Sequence, residues 1–259
     1  MDNNIHKSSI IKGDVKIGKN VYIGPYSVIE GKIEVGDGTY IDSHVVIKGN
    51  VNIGKNNQIF SGVKIGFPPQ DIKYKGEDTE IIIGDNNIIR EFVTIHKAVG
   101  EGEKTVIGNG NFLMAYSHIA HNCKIGNETI IVNGAQLGGH VEVYDYAFIS
   151  SNCLIHQFVR IGSYVIIGGG TRVKMDVVPY AMCMGNPDAE IKGINTVGLK
   201  RRGFGGERLL NIKRAFKILF FSNLNTTQAV ERLKNDFEGN KDIKLLIDFI
   251  ESSKRGITK

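Results

Sequence analysis

The chain has 259 residues, 41% of them apolar, and a formal net charge of +5 with a sequence pI of about 8.9. That length allows one large domain or two modest ones, and the mild charge balance does not point to a nucleic-acid partner. No run of eighteen apolar residues occurs and Met1-Asp2-Asn3-Asn4 lacks a signal-peptide shape, so stable membrane insertion is not expected and a cytoplasmic protein is.

Every sixth residue from Ile5 to Val173 defines 29 positions, of which 26 are aliphatic. The three exceptions, Asp71, Glu77 and Glu101, fall in two polar stretches. A fixed six-residue period is the mark of a parallel β-helix, in which each hexad supplies a short strand and a corner, and three hexads, roughly eighteen residues, close one coil. Residues two before each aliphatic are mostly small or β-branched (Val15, Ile33, Val45, Cys123, Ala135), and side chains two apart on a strand face the same way, so this second set points inward too. Glycine often follows the aliphatic, as at Gly18, Gly36, Gly54 and Gly126, which a tight corner favours. Cys123 and Cys153 share the inward register and read as buried thiols.

Two segments leave the repeat. Gly66 to Glu80 carries Pro68-Pro69, which a central strand does not accept, and Lys97 to Lys104 is glycine-rich and charged. Long excursions from a rigid scaffold are frequently functional, and the first offers Gln70, Asp71 and Lys73 as candidates. The hexads stop near Asp176-Val-Val-Pro179-Tyr180, which places a β-helix domain at 1–187 and a small helical domain at 188–259. In the latter, apolar stripes run from Leu209 to Phe220, from Ala229 to Leu233 behind an Asn225 N-cap with Gln228 three on, and from Asp242 to Ser252. Between Lys192 and Lys217 lie eight basic residues against one acidic.

His121, His140 and His156 follow Ile119, Leu137 and Ile155, anchors eighteen residues apart, so the spacing predicts three imidazoles climbing one edge of the prism, with His118 on the strand leading in and facing outward. An imidazole with an ordinary pKa near 6.5 suits general-base work near neutrality. Three histidines also suit a zinc ion with an open position, which leaves a metal-dependent hydratase as the competing reading.

The runs His118-Ile-Ala-His121-Asn-Cys123, Gly139-His140-Val141 and His156-Gln157-Phe158, with Asp176-Val-Val-Pro179-Tyr180, Gly185-Asn186 and Gly198-Leu-Lys-Arg-Arg-Gly-Phe204, resemble the UDP-N-acetylglucosamine O-acyltransferases that begin lipid A synthesis. The resemblance spans essentially the whole chain. It implies a left-handed parallel β-helix of hexapeptide repeats with a C-terminal α-helical domain, assembled as a homotrimer with sites in the clefts between prisms. It implies transfer of a (R)-3-hydroxyacyl chain from acyl carrier protein to the 3-position of the sugar, with no cofactor and no metal. His121 then matches the general base and Gly139 the backbone N–H that meets the oxyanion. Asp71, Lys73, His118, His140 and His156 match groups around the sugar and phosphates, and Gln70 stays a substrate-binding candidate beside them; Gln157, Asn195, Arg201 and Arg202 match the nucleotide end, where paired guanidinium groups suit a diphosphate. Gly169 matches a position on the acyl path, and a glycine there implies one of the longer chains. The basic segment after the prism suits an acidic carrier. Asn122 stands where many members carry aspartate after the base, which leaves Asp71 or a backbone carbonyl to orient His121, and Val197 stands where some carry glutamate. The alternatives are a hydratase of the gamma carbonic anhydrase type, a 3-amino-sugar N-acyltransferase, and a non-catalytic binder of sugar nucleotides.

Overall fold

The computed structural model describes residues 3–259; the Met1-Asp2 portion of the N-terminal reading lies outside the described residues. From Asn4 to Val173 the chain winds as a parallel β-helix. Ile23, Ile41, Ile59, Ile89, Leu113, Ile131, Ile149 and Ile167 stack in register on one face, all fully buried. Many strands are two residues long. What holds them is this aliphatic column, at roughly 1.5–3 kcal/mol per buried side chain.

The coil count is eighteen only where nothing is inserted. Ile53 pairs with Ile83, thirty residues on, and Ile83 with Ile107, twenty-four on, before Ile107 pairs with Ile125 at eighteen. The excursions therefore add twelve (30 − 18) and six (24 − 18) residues, both multiples of six, which is why the hexad phase survives them. Both leave from the corner that carries His121 and Asn122, the first two coils below those residues and the second one coil below.

The inward second set is partly polar. Asn57, Asn87, Asn111 and Thr129 are fully or almost fully buried and bond up the interior: Asn87 Nδ2 donates to Asn57 Oδ1 at 3.0 Å, and Thr129 Oγ1 to Asn111 Oδ1 at 2.8 Å. The three asparagine side chains also accept from or donate to backbone, so the buried amides are satisfied.

The glycines after the aliphatics have a different cause from the one expected. None of Gly18, Gly36, Gly54 or Gly126 has a positive φ; that conformation falls two residues later, on Asn20, Gly38, Asn56 and Glu128. A Cβ on Gly18 would lie 2.4 Å from Asp37 Oδ1, and one on Gly126 2.4 Å from Asp145 Oδ1. Those carboxylates accept the N–H of Lys19 and Asn127, both at 2.7 Å. At Gly18, Gly54 and Gly126 glycine is there to admit a carboxylate from the next coil, and at Gly36 to admit the backbone of Gly54.

Past the prism, the strand Ala181–Met184 pairs antiparallel with Glu190–Ile194, which carries sheet structure across the expected boundary at 187/188. Four helices follow: α1 Thr196–Arg201, α2 Gly206–Phe220, α3 Thr226–Asp236 and α4 Lys241–Glu251. Helix α3 opens on the expected Asn225–Gln228 capping box, whereas α1 had no apolar stripe to announce it. Arg160 fastens α4 to the prism, pairing with the buried Asp176 at 3.1 Å, donating to Phe249 O at 2.8 Å and lying over the Phe249 ring. The tail then returns: Thr258 N donates to Asp176 O and Ile191 N to Lys259 O.

Candidate active site

The corner Ala120-His121-Asn122 is built by three coils at once. His121 is 8% exposed, and its Nδ1 lies 2.9 Å from Asn122 Oδ1. Asn122, in the left-handed region that asparagine tolerates, is clamped by the second excursion: its Oδ1 accepts from Val99 N at 2.9 Å and its Nδ2 donates to Val99 O at 3.1 Å. The Val99 pair sets which way the amide faces. An amide oxygen can only accept, so Nδ1 of His121 carries the proton and Nε2 presents its lone pair. The orienting group is thus Asn122 itself, through its amide.

Asp71 comes from the first excursion to the other side of the ring, with Oδ2 3.7 Å from His121 Nε2. Lys73 N donates to Asp71 Oδ1 at 2.8 Å and Tyr74 N to Asp71 O at 3.1 Å, a local turn that holds the carboxylate. The Lys97 ammonium lies 5.0 Å from the Tyr74 ring centroid and ties one excursion to the other. Gly139 sits one coil above His121. A Cβ there would be 2.4 Å from both Cε1 and Nε2 of His121, so glycine is required by the imidazole. Gly139 is buried and its N–H has no acceptor among the described residues, a free donor beside the base.

The expected ladder of His121, His140 and His156 is not what forms. Eighteen residues above His121 is Gly139, and eighteen above His140 is Phe158, whose ring stacks on it at 4.4 Å. The His121 and His140 rings meet edge to face at 5.2 Å, while His156 lies on the strand side of the corner. The offsets from their anchors differ, so the rings fan around the corner rather than stack. His118, His121 and His156 face one groove of roughly 750 Å³, and Gln70 and Gln157 line it too. His140 opens on a neighbouring depression with Phe158 and Arg160.

A fifth histidine in this cluster was missed. His96 is buried in the same groove, its ring edge-on to His118 at 4.8 Å, and its Nδ1 has no partner among the described residues. It follows Ile95 as His156 follows Ile155; the six-residue insertion hid the match because it shifts the coil count. Burial lowers the pKa of His118 to about 4, with the His96 and His121 rings adding to it, and burial likewise lowers those of His96 and His140. His118 Nδ1 is 2.7 Å from Thr94 Oγ1. Among the described residues, no three His, Cys, Asp or Glu side chains converge in a way that would hold a metal ion.

The remaining candidates lie elsewhere on this chain. Lys73 is exposed on the first excursion. Gly169 is at the corner after the strand Ile166–Ile167, beside Ser150 and Ser151. Asn195, Arg201 and Arg202 line a separate cleft with Tyr146 and Tyr164. Asn195 caps α1, accepting from Gly198 N at 3.0 Å and donating to Tyr164 O at 2.9 Å, and Arg202 pairs with Glu128 over the Tyr146 ring. Of the eight basic residues between Lys192 and Lys217, Lys192, Arg202 and Arg208 have carboxylate partners, which leaves five without one among the described residues.

Residues 176–258 match the model for the second domain of UDP-N-acetylglucosamine O-acyltransferases, and residues 2–31 and 104–139 match the bacterial transferase hexapeptide repeat. The chain is 51% identical over 258 residues to the acyl-(acyl-carrier-protein)–UDP-N-acetylglucosamine O-acyltransferase of Thermodesulfovibrio yellowstonii, covering 99% of this chain and 100% of that one. It is 45% identical over 256 residues to the protein of the same name from Myxococcus xanthus, covering 98% and 99%. The crystal structure of the Francisella novicida UDP-N-acetylglucosamine acyltransferase superposes with a TM-score of 0.96 at 42% identity, over 98% of this chain and 93% of that one. With identity of this order over nearly its full length, and the same coil, corner and helical tail, the chain belongs to the UDP-N-acetylglucosamine O-acyltransferase family.

Proposed function

We propose that this protein transfers a (R)-3-hydroxyacyl chain from acyl carrier protein to the 3-hydroxyl of UDP-N-acetylglucosamine in the cytoplasm, as a homotrimer. The observation that carries this is His121, held through Nδ1 by Asn122 with its Nε2 turned to Asp71 and lying against Gly139. Nε2 takes the proton of the sugar hydroxyl as its oxygen attacks the thioester carbonyl. The oxyanion that forms meets the unpaired N–H of Gly139, a donor already in place and shielded from water. Collapse breaks the C–S bond, and the proton on Nε2 passes to the departing thiolate. Asp71 holds the sugar beside the ring and stabilises the imidazolium while it lasts. The cleft of Asn195, Arg201 and Arg202 and the corner of Gly169 lie off the His121 groove in a single chain, and a trimer that sets one prism against the next supplies the second wall. The role of Gly169 in admitting a longer acyl chain belongs to this assembly.

The test is thioester cleavage with UDP-N-acetylglucosamine as acceptor. His121→Ala is expected to lose about 10²–10⁴-fold in kcat while the oligomer persists. Substantial residual turnover overturns the role of His121, and no acylated sugar from the unmodified protein overturns the reaction.

A further inference from the structure

The groove that holds His121 ends, three coils above it, in a cluster of cations that the reaction above does not use. The register runs Ile119, Leu137, Ile155, Val173, so Arg172 and Lys174 stand three rungs from the base, about 14 Å at the usual strand spacing. Arg255 reaches the same spot from the returning tail, ninety-nine residues along the chain from His156. Its Nε and Nη2 donate to Lys174 O at 3.3 and 3.0 Å, and its Nη2 lies 3.3 Å from His156 Nδ1. The carbonyl fixes the plane of the guanidinium, and none of the described residues accepts from Nη1. Asp188 is the carboxylate in the cluster, shared by Arg172 Nε at 2.7 Å and Lys174 Nζ at 3.0 Å. Three cations against one carboxylate leave a local excess of positive charge, and all three cations line the groove.

The geometry points to a phosphate-ester site formed by Arg255, Lys174 and Arg172 at the end of the groove remote from His121. It rests on the acyl-transfer reading only for the source of the phosphate. A guanidinium with both Nη1 protons free beside an ammonium suits a tetrahedral oxyanion. The distance selects the source: the phosphopantetheine arm of a carrier has about the backbone length of four residues, roughly 14 Å extended at 3.3–3.6 Å per residue, so a thioester at His121 puts its phosphate at the cations. The first phosphate of a sugar nucleotide is only one pyranose ring from the reacting hydroxyl.

Calorimetric titration of the full chain with four probes tests this without turnover: 4′-phosphopantetheine, pantetheine, UDP and uridine. The unmodified protein is expected to bind phosphopantetheine at least about tenfold more tightly than pantetheine, and Arg255→Ala or Lys174→Ala to erase that difference while pantetheine binding stays as it was, which also reports a folded groove. Arg255→Lys keeps part of the preference. A loss confined to UDP over uridine upholds a phosphate site and assigns it to the nucleotide. The absence of any phosphate preference, or one that survives both alanine variants, overturns it. Because binding is read directly, a failed acyl-transfer assay leaves this result standing on its own.

Discussion

Two corners of one prism show what repetition does and what breaking it does. At the corner after Gly18, Gly54, Gly84, Gly108 and Gly126 the repeat is nearly perfect, and each Asp or Asn side chain closes a backbone N–H of its neighbouring coil: Asp85 to Lys55, Asn109 to Asp85, Asn127 to Asn109, Asp145 to Asn127. Five such donors, on Lys19, Lys55, Asp85, Asn109 and Asn127, are taken in this way. At the corner of His121 the repeat is interrupted in two successive coils, and the result is a free N–H on Gly139, an unpartnered Nδ1 on His96 and a carboxylate of Asp71 3.7 Å from an imidazole. Regularity satisfies most of these polar groups, while interruption gathers unsatisfied ones of several kinds around one imidazole.

The contrast yields tests of decreasing size. Gly139→Ala is expected to push the His121 ring aside and cut kcat about 100-fold with the melting temperature nearly unchanged, because the three atoms nearest its Cβ, at 2.4, 2.4 and 3.1 Å, all belong to that one side chain and none to backbone. The paired change on the regular corner, Gly126→Ala, meets Asp145 Oδ1 at 2.4 Å and Asp145 N at 2.9 Å; it is expected to cost about 1–3 kcal/mol of stability in urea titrations and leave kcat per folded molecule alone. Equal effects of the two on activity would dissolve the distinction between corners.

Asn122→Ala removes the hold on Nδ1 and is expected to lower kcat by roughly 10- to 100-fold, a charge-assisted hydrogen bond of about 1.5–3 kcal/mol, with little change in KM. Asn122→Asp, which keeps an acceptor at Nδ1 but loses the donor to Val99 O, is expected to recover most of it. A variant pair that moves KM and not kcat would place Asn122 in binding instead.

The smallest effect concerns acid. His118 titrates near 6.5 when unfolded, but burial among His96 and His121 brings it to about 4 in the folded chain. Between those values the unfolded chain binds the extra proton, so stability is full above about pH 6.5 and falls as pH drops towards about 4, by at most on the order of 3 kcal/mol. Urea midpoints across that range are expected to decline more steeply for the unmodified protein than for His118→Gln, and parallel curves would exclude His118 as the cause.

How far these corners could be read in advance depended on the kind of signal. The aliphatic hexads announced the prism because each coil buries the same residue type, and Asn225-Thr-Thr-Gln228 announced a helix start because a cap is local. His96 escaped because six inserted residues moved it out of the eighteen-residue count, and the fan of His121, His140 and His156 escaped because offsets of one, two and three from an anchor look alike in a list and differ by a corner in space.

What the amino-acid sequence determined by itself was the coil, the buried columns, the two excursions and the helical stripes, since all follow from periodicity and local hydrogen bonding. The tertiary structure alone decided that Val99 clamps Asn122, that Asp71 reaches His121, and that Arg255 closes over His156 from the far end of the chain. Those contacts join segments without any shared period, and only the stacking of coils and the docking of the tail determine where their side chains meet.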